Sequence, residues 1–166
     1  MFGASMGAAT ALLAAADEPA ISALVAASGF ADFGLMIERQ YRKLSHLPSC
    51  FLPGVLVLAR RLTGVDLQRL RPVETARALV GRPVLVIHSE GDRYVPVADA
   101  RAIAKACGGA LWTTPTQRHI GRYGGGPQAY TERAQAYFGG HLAGISRPSA
   151  GAGNRSTPAP ACAPSH

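Results

Sequence analysis

Long apolar runs are scarce in this sequence of 166 residues. The strongest of them, FLPGVLVLA at 51–59, is much shorter than the roughly 20 apolar residues that a membrane-spanning helix needs. Nor does a positively charged start precede the small apolar stretch near the N-terminus, as it would in a secretory signal. These absences exclude a membrane from the expected partners and favour a globular protein in aqueous solution.

Cysteine is also rare, with three residues far apart at Cys50, Cys107 and Cys162. None belongs to a C-x-x-C pair, and no histidine lies near them at the spacing of a metal site. The sequence therefore predicts reduced thiols and no bound metal, with Cys50 and Cys107 buried. Reduced thiols favour a cytoplasmic location.

Lysine occurs only twice, whereas arginine occurs fifteen times and the formal net charge is +7. A basic chain raises the question of a nucleic-acid partner. The arginines, however, are scattered from Arg39 to Arg155, and no aromatic residues alternate with them as they do in many nucleic-acid surfaces. We expect no nucleic-acid partner, and a basic interaction protein remains an alternative that only the net charge supports.

Short apolar runs alternate with helical patterns along the chain, which is typical of an α/β fold with a parallel sheet and flanking helices. The expected strands are 20–28, 84–87 and 110–115, and the expected helices are 5–16, 95–107 and 127–142. Helical spacing over 29–44 and less regular spacing over about 44–75 predict an inserted helical cap at about 31–80. Residues 145–166 are rich in Pro, Ala, Ser and Gly, so we expect one domain over 1–144 and then a disordered tail.

The pentapeptide Gly3-Ala4-Ser5-Met6-Gly7 matches G-x-S-x-G, the pattern of a nucleophile elbow. In such an elbow the serine sits on a tight strand-to-helix turn, and the glycines on either side avoid collisions with neighbouring backbone. The helix then points its positive end at Ser5, and the N–H of Met6 becomes a donor to an oxyanion. Alternatively, Ser5 is only the N-cap of the helix that follows it.

A serine nucleophile needs a base, and the base needs an acid that orients it. Asp92 follows the strand VLVI, and His119 follows the strand ALWTTP, so both lie where a parallel strand ends. Glu90 is a rival acid two residues before Asp92, and Asp92 could instead cap the next helix. His88 lies at the end of a strand and is expected to be a structural residue.

Three segments, FGASMGAATALL, PVLVIHSEGDRYVPVADARAIA and ALWTTPTQRHIGRY, resemble successive landmarks of the α/β-hydrolase superfamily. The serine aminopeptidase-like and esterase-like members are the kinds it resembles most. The resemblance covers about residues 1–142 and implies a nucleophile at Ser5, an acid at Asp92, a general base at His119 and a helical cap. Ser89 departs from the pattern, because the family usually has a glycine there.

The resemblance also implies that several strands come before the elbow, whereas only Met1 and Phe2 precede Gly3 here. We therefore expect a C-terminal portion of the fold, with the N-terminal strands and the loop that supplies the second oxyanion donor missing. An exposed sheet edge would favour self-association. Losing one oxyanion donor typically costs about 3–4 kcal/mol of transition-state stabilisation, so we expect a poor catalyst.

Together these features predict a serine hydrolase that cleaves an ester, thioester or amide in a small molecule or short peptide. His119 would take the proton of Ser5, an acyl-enzyme would form, and water would release the acid. This chemistry requires neither a metal nor an organic cofactor. The alternative is a non-catalytic hydrolase remnant that binds an acyl ligand or a partner protein.

Overall fold

Four parallel strands form one sheet, and their order in the sheet follows their order in the chain. They are β1 (Phe2–Ala4), β2 (Leu24–Ala27), β3 (Val84–Ser89) and β4 (Ala110–Thr114). The register pairs Gly3 with Ala26, Val25 with Leu85, and Ile87 with Trp112. The three predicted strands are therefore all present, as β2, β3 and β4, although β2 is shorter than the predicted 20–28. The α/β class with a parallel sheet is confirmed.

The structure, a computed structural model, describes residues 1–115, residue 119 and residues 126–142, with the side chains of 126–129 excepted. The tail expected over 145–166 lies outside the described residues, as does Cys162. Cys107 is buried as predicted, but Cys50 is exposed. That expectation was wrong because Cys50 lies in the short 3-10 segment Ser49–Phe51, none of whose residues is buried.

The central strands are apolar throughout because both faces of the sheet are covered. All residues of β2 and β3 are buried, including the polar His88 and Ser89. Continuous burial of this kind is typical of parallel strands between two layers of helices, and it explains why these strands show no alternation of polar and apolar residues.

Helices cover both faces of the sheet. The α-helices in the described part of the chain are α1 (Met6–Asp17), α2 (Phe33–Leu44), α3 (Leu52–Thr63), α4 (Pro72–Thr75), α5 (Val97–Cys107) and α6 (Gly126–Leu142), of which α1, α5 and α6 pack on the sheet. On one face Leu12 of α1 and Ile103 of α5 pack with Val84 and Val86. On the other face Ala134 of α6 packs with apolar residues of β2 and β3 and with partly buried aromatic side chains.

The chain between β2 and β3 is helical, with α2, α3 and α4 and three 3-10 segments. These helices occupy the stretch in which the sequence predicts a cap, and the division of the chain into domain, cap and tail stays a prediction. Asp32 begins α2 by accepting a hydrogen bond from the N–H of Leu35. Phe30, Phe33 and Val95 form a small buried cluster that joins the start of α2 to the loop after β3.

Strand β1 lies at an edge of the sheet, where it pairs with β2 alone among the described residues. Phe2 is half exposed at this edge and packs edge-to-face on Tyr130 of α6, with 5.4 Å between the ring centroids. Self-association through the edge stays a prediction. No helix in the described part of the chain is long and apolar enough to cross a bilayer.

Candidate active site

Ser5 occupies the sharp turn between β1 and α1. Its φ of 52° and ψ of −118° lie in a region that residues other than glycine rarely adopt. The N–H of Ser5 donates to the carbonyl of Ala27 at 2.8 Å, which fixes the turn against the end of β2. A conformation of this kind costs about 1–3 kcal/mol and persists only when the surrounding structure holds it in place.

The two glycines of the pentapeptide differ in their surroundings. A Cβ on Gly3 would lie 2.2 Å from the carbonyl oxygen of Gly7, so Gly3 is required for the close approach of strand and helix. A Cβ on Gly7 would meet nothing within 4 Å in the described part of the chain. The steric reason given for a glycine at both positions therefore holds for Gly3 and not for Gly7.

The hydroxyl of Ser5 points to His119. Ser5 Oγ lies 2.9 Å from His119 Nε2, and the side chain makes no capping hydrogen bond to α1. Ser5 thus occupies the N-cap position without acting as a side-chain cap. The structure places Ser5 and His119 within hydrogen-bonding distance, as a nucleophile and its base require.

Asp92 holds the other side of the imidazole. Its Oδ2 lies 2.6 Å from His119 Nδ1, and its Oδ1 accepts hydrogen bonds from the N–H groups of Tyr94 at 2.8 Å and Val95 at 3.0 Å. Burial raises the pKa of Asp92, but the hydrogen bonds from His119, Val95 and Tyr94 together outweigh it and lower the pKa below its usual value. The carboxylate is therefore ionised at neutral pH.

The charge of Asp92 settles where the imidazole proton lies. An ionised carboxylate can only accept, so Nδ1 of His119 carries the proton and donates it to Asp92. In the neutral imidazole Nε2 is then an acceptor for the Ser5 hydroxyl. This is the tautomer with which a histidine serves as a general base.

Glu90 and His88 do not take part in this chain of hydrogen bonds. Glu90 is exposed, and its Oε1 accepts from the hydroxyl of Thr113 at 2.9 Å. His88 is fully buried beneath the site, with Nε2 2.9 Å from the carbonyl oxygen of Val95 and 3.6 Å from Asp92 Oδ2. The structure thus brings Asp92, and not the rival Glu90, to His119.

Solved structures of known proteins share this architecture. The esterase Pf2001 of Pyrococcus furiosus superposes with a TM-score of 0.64 and 18% identity over 85% of this chain and 53% of its own. The α/β hydrolase GrgF of Penicillium sp. sh18 gives 0.61 and 15% over 86% and 63%. Rv0554 of Mycobacterium tuberculosis gives 0.57 and 18% over 84% and 65%. The fold is that of the α/β hydrolases.

This chain spans about half to two thirds of the length of those three structures. No protein-family model matches the sequence, and no curated protein matches it either. The resemblance stated from three sequence segments is thus supported at the level of the fold. In an α/β-hydrolase fold, ligands bind outside the carboxyl ends of the strands, where Ser5, Asp92 and His119 lie.

Met6 stands directly after Ser5, as the first residue of α1. The first N–H groups of a helix have no acceptor within the helix, and they carry its partial positive charge. In an α/β-hydrolase fold the N–H after the nucleophile is one donor to the oxyanion. The position of Met6 is consistent with that role, and its assignment as an oxyanion donor stays a prediction.

A pocket of about 270 Å³ opens beside the Ser5 hydroxyl. Most of its lining is apolar, and the lining residues are Ser5, Phe30, Met36, Gln40, Leu44, Tyr94, Val95 and His119. An open depression of about 510 Å³ along α2 shares Met36, Gln40 and Leu44 with it. A cavity of about 470 Å³ between α2 and α3 contains none of Ser5, Asp92 and His119 in its lining.

Sequence reasoning expected the cap to form an apolar pocket wall but did not identify the residues of α2 that do so. The apolar residues Met36 and Leu44 and the polar Gln40 all line the pocket, at the spacing of one face of a helix. The helical period was visible in the sequence. The sequence did not show that this face of α2 packs against the loop after β3. That loop lies about fifty residues further along the chain, which is the separation between Lys43 and Arg93.

Proposed function

We propose that this chain carries the catalytic residues of a serine hydrolase that cleaves small esters through an acyl-enzyme. The observation that supports this most directly is the chain of contacts from Ser5 Oγ through His119 to Asp92, at 2.9 Å and 2.6 Å. These three residues are far apart in the sequence, and the fold brings their side chains into one line of contacts. The strained turn at Ser5 supports the same proposal, since strain of this kind is concentrated at functional sites.

The proposed reaction begins when His119 Nε2 takes the proton of the Ser5 hydroxyl. Ser5 Oγ then forms a bond to the carbonyl carbon of the ester, and the carbonyl oxygen becomes an oxyanion that accepts a hydrogen bond from the N–H of Met6. The imidazolium of His119, stabilised by the ionised Asp92, gives its proton to the leaving alcohol as the ester C–O bond breaks. The result is an acyl group on Ser5.

The acyl group leaves by the same steps in reverse order. His119 takes a proton from a water molecule, whose oxygen attacks the acyl carbon. The proton then passes to Ser5 Oγ as its bond to carbon breaks, so that the free acid and the starting hydroxyl are restored. Each proton that His119 accepts is returned, and the site needs no other reactant.

The pocket indicates the kind of substrate. Its volume of about 270 Å³ and apolar lining suit a short acyl or alcohol group. This volume lies just below the roughly 300–1,000 Å³ that is usual for ligand pockets. Among the superposed structures, Pf2001 is called an esterase, which supports an ester over an amide. Thioesters share the same acyl chemistry and belong to the same proposal.

A fluorophosphonate probe tests the proposal on the 166-residue chain. We expect one covalent adduct, mapped by mass spectrometry to Ser5, together with hydrolysis of p-nitrophenyl butyrate. Both should disappear in Ser5→Ala and persist in Ser22→Ala, a control at a serine whose hydroxyl donates to the carbonyl of Ala20. No adduct, or an adduct that survives in Ser5→Ala, would overturn the assignment. Binding of a fluorescent fatty acid without any adduct would instead support a non-catalytic acyl-binding protein.

A further inference from the structure

The catalytic acid is held by the backbone of a short loop, residues 92–95, which we call the acid loop. The N–H groups of Tyr94 and Val95 fix Asp92 Oδ1, which leaves Oδ2 for His119. The direction of the carboxylate therefore depends on the direction of these two peptide groups. A loop that turned by a small angle would carry Oδ2 away from the imidazole.

Side chains of α2 hold the other side of the same peptide groups. The ammonium of Lys43 donates to the carbonyl of Arg93 at 2.8 Å, and Nε2 of Gln40 donates to the carbonyl of Tyr94 at 2.9 Å. Lys43 and Gln40 are three positions apart, so they project from one side of the helix. Two consecutive carbonyls of the acid loop thus accept hydrogen bonds from one helix.

Lys43 also reaches His119 through an aromatic ring. Its Nζ lies 4.9 Å from the centroid of the Tyr94 ring, which is within range of a cation–π contact. The same ring packs against the imidazole of His119, with 5.5 Å between the centroids. Lys43 therefore restrains the loop that holds the acid and also the ring that packs on the base.

A third contact fixes α2 against the structure that follows the acid loop. The Nη1 atom of Arg39 lies 3.2 Å from Oδ2 of Asp99 in α5. Asp99 is nearly buried and also accepts from the N–H of Ala31. The part of α2 from Arg39 to Lys43 is thus attached at three points to the segment from the acid loop to α5.

We infer that Lys43 and Gln40 are positioning residues, which set the orientation of Asp92 and His119 by holding the carbonyls of the acid loop. Helix α2 also lines the pocket, with Met36, Gln40 and Leu44. The same helix would therefore contact the substrate and position the acid. The catalytic consequence rests on the function proposed above. The positioning itself is a property of the folded chain and can be measured without a substrate.

The first experiment follows the Nδ1 proton of His119 by NMR in the parent chain, Lys43→Met and Lys43→Arg. Methionine keeps an apolar stem and removes the donor, whereas arginine restores a donor and a positive charge. We expect the Nδ1 proton of Lys43→Met to exchange with solvent at least about fivefold faster, because the loop opens more often. Lys43→Arg should recover most of the protection. Equal exchange in all three proteins would overturn the inference.

Arg42→Met is the matched control. Arg42 lies next to Lys43 on α2 and pairs with Glu38 on the surface, so its removal changes the charge equally without touching the acid loop. For the parent activity on p-nitrophenyl butyrate, we expect Lys43→Met to lower kcat by about tenfold with KM within about twofold, since the loss is one of geometry. Gln40→Met should act in the same direction, with a change in KM as well.

The outcomes separate the two proposals. If Arg42→Met lowers kcat as much as Lys43→Met does, the loss of kcat comes from the change in charge. That result would contradict the positioning role of Lys43. If the parent chain fails to label at Ser5, the proposed function fails, and the NMR comparison still decides whether Lys43 positions His119. Melting temperatures of the variants within a few degrees of the parent show that the fold is kept.

Discussion

His119 Nε2 lies 2.9 Å from Ser5 Oγ although 114 positions separate the two residues in the sequence. Ser5 follows the edge strand β1, and His119 comes after β4 at the opposite edge of the sheet. Parallel strands bring their carboxyl ends to one side, so the loops that leave β1, β3 and β4 converge there. The relative position of these residues is thus set by the sheet as a whole.

The identity of the acid can be tested with a pair of neighbouring carboxylates. Asp92→Asn should lower kcat by roughly three to four orders of magnitude, because the amide favours the wrong tautomer of His119. Glu90→Gln should leave kcat within about twofold, since Glu90 is exposed and contacts Thr113 instead. Steady-state kinetics on p-nitrophenyl butyrate measure both. A larger loss in Glu90→Gln would reverse the assignment.

Asp92 should also make the stability of the chain depend on pH. Its pKa is lowered below the usual 3.8 in the folded state, so the ionised carboxylate contributes stability above about 3.8. That contribution is lost as the pH falls through the lower folded value. Urea unfolding from neutral pH to about pH 3 should show the difference between the parent and Asp92→Asn shrinking below about 3.8. A difference that stays constant would contradict the pKa direction.

Gly3 and Gly7 should respond in opposite ways to alanine. Gly3→Ala places a Cβ against the backbone of Gly7, so it should lower the free energy of unfolding by about 3 kcal/mol or prevent folding. Gly7→Ala meets open space in a helix and should raise it by about 0.5–1 kcal/mol. Chemical denaturation of the two variants measures both effects. Equal destabilisation would show that the helix packs differently around Gly7.

The strain at Ser5 can be measured by removing its side chain in two ways. Ser5→Ala and Ser5→Gly both lose the hydroxyl, but only glycine relieves a positive φ. Relief of about 1–3 kcal/mol is partly offset by the larger entropy of glycine in the unfolded chain, about 0.4–1 kcal/mol. Ser5→Gly should therefore be more stable than Ser5→Ala by about 1 kcal/mol. A Ser5→Gly variant that is less stable than Ser5→Ala by about 0.4–1 kcal/mol would mean that the turn is unstrained.

Much of this fold could be predicted from local sequence. The run Val84–Ile87 after a proline, the glycines that end α5 and the G-x-S-x-G pentapeptide each carry a pattern that has one main structural meaning. The order of Ser5, Asp92 and His119 added a second constraint, because each follows a strand. Such features depend on residues within a few positions of each other, or on the rule that the carboxyl ends of parallel strands lie at the same side of the sheet.

Other features depend on contacts that no local pattern encodes. Asp99 was expected only as part of a helix, yet it is nearly buried and pairs with Arg39. Gly108 ends α5 in the left-handed conformation, and Gly109 after it lies so close to Val84 that a Cβ on Gly109 would be 2.6 Å from the Val84 carbonyl oxygen. In both cases the partner belongs to another element, and its distance is a result of packing.

The strand order also has a consequence for how the chain folds. Each strand pairs with its sequence neighbour, so the sheet can grow one crossover at a time, and the longest crossover, from β2 to β3, spans residues 28–83. The contact between Ser5 and His119 spans nearly the whole sheet and can form only after β4 has docked. During refolding, the fluorescence of Trp112 on β4 should therefore reach its final value before Ser5 regains reactivity toward a fluorophosphonate. Ser5 then reports the last step of folding, although it is among the first residues of the chain.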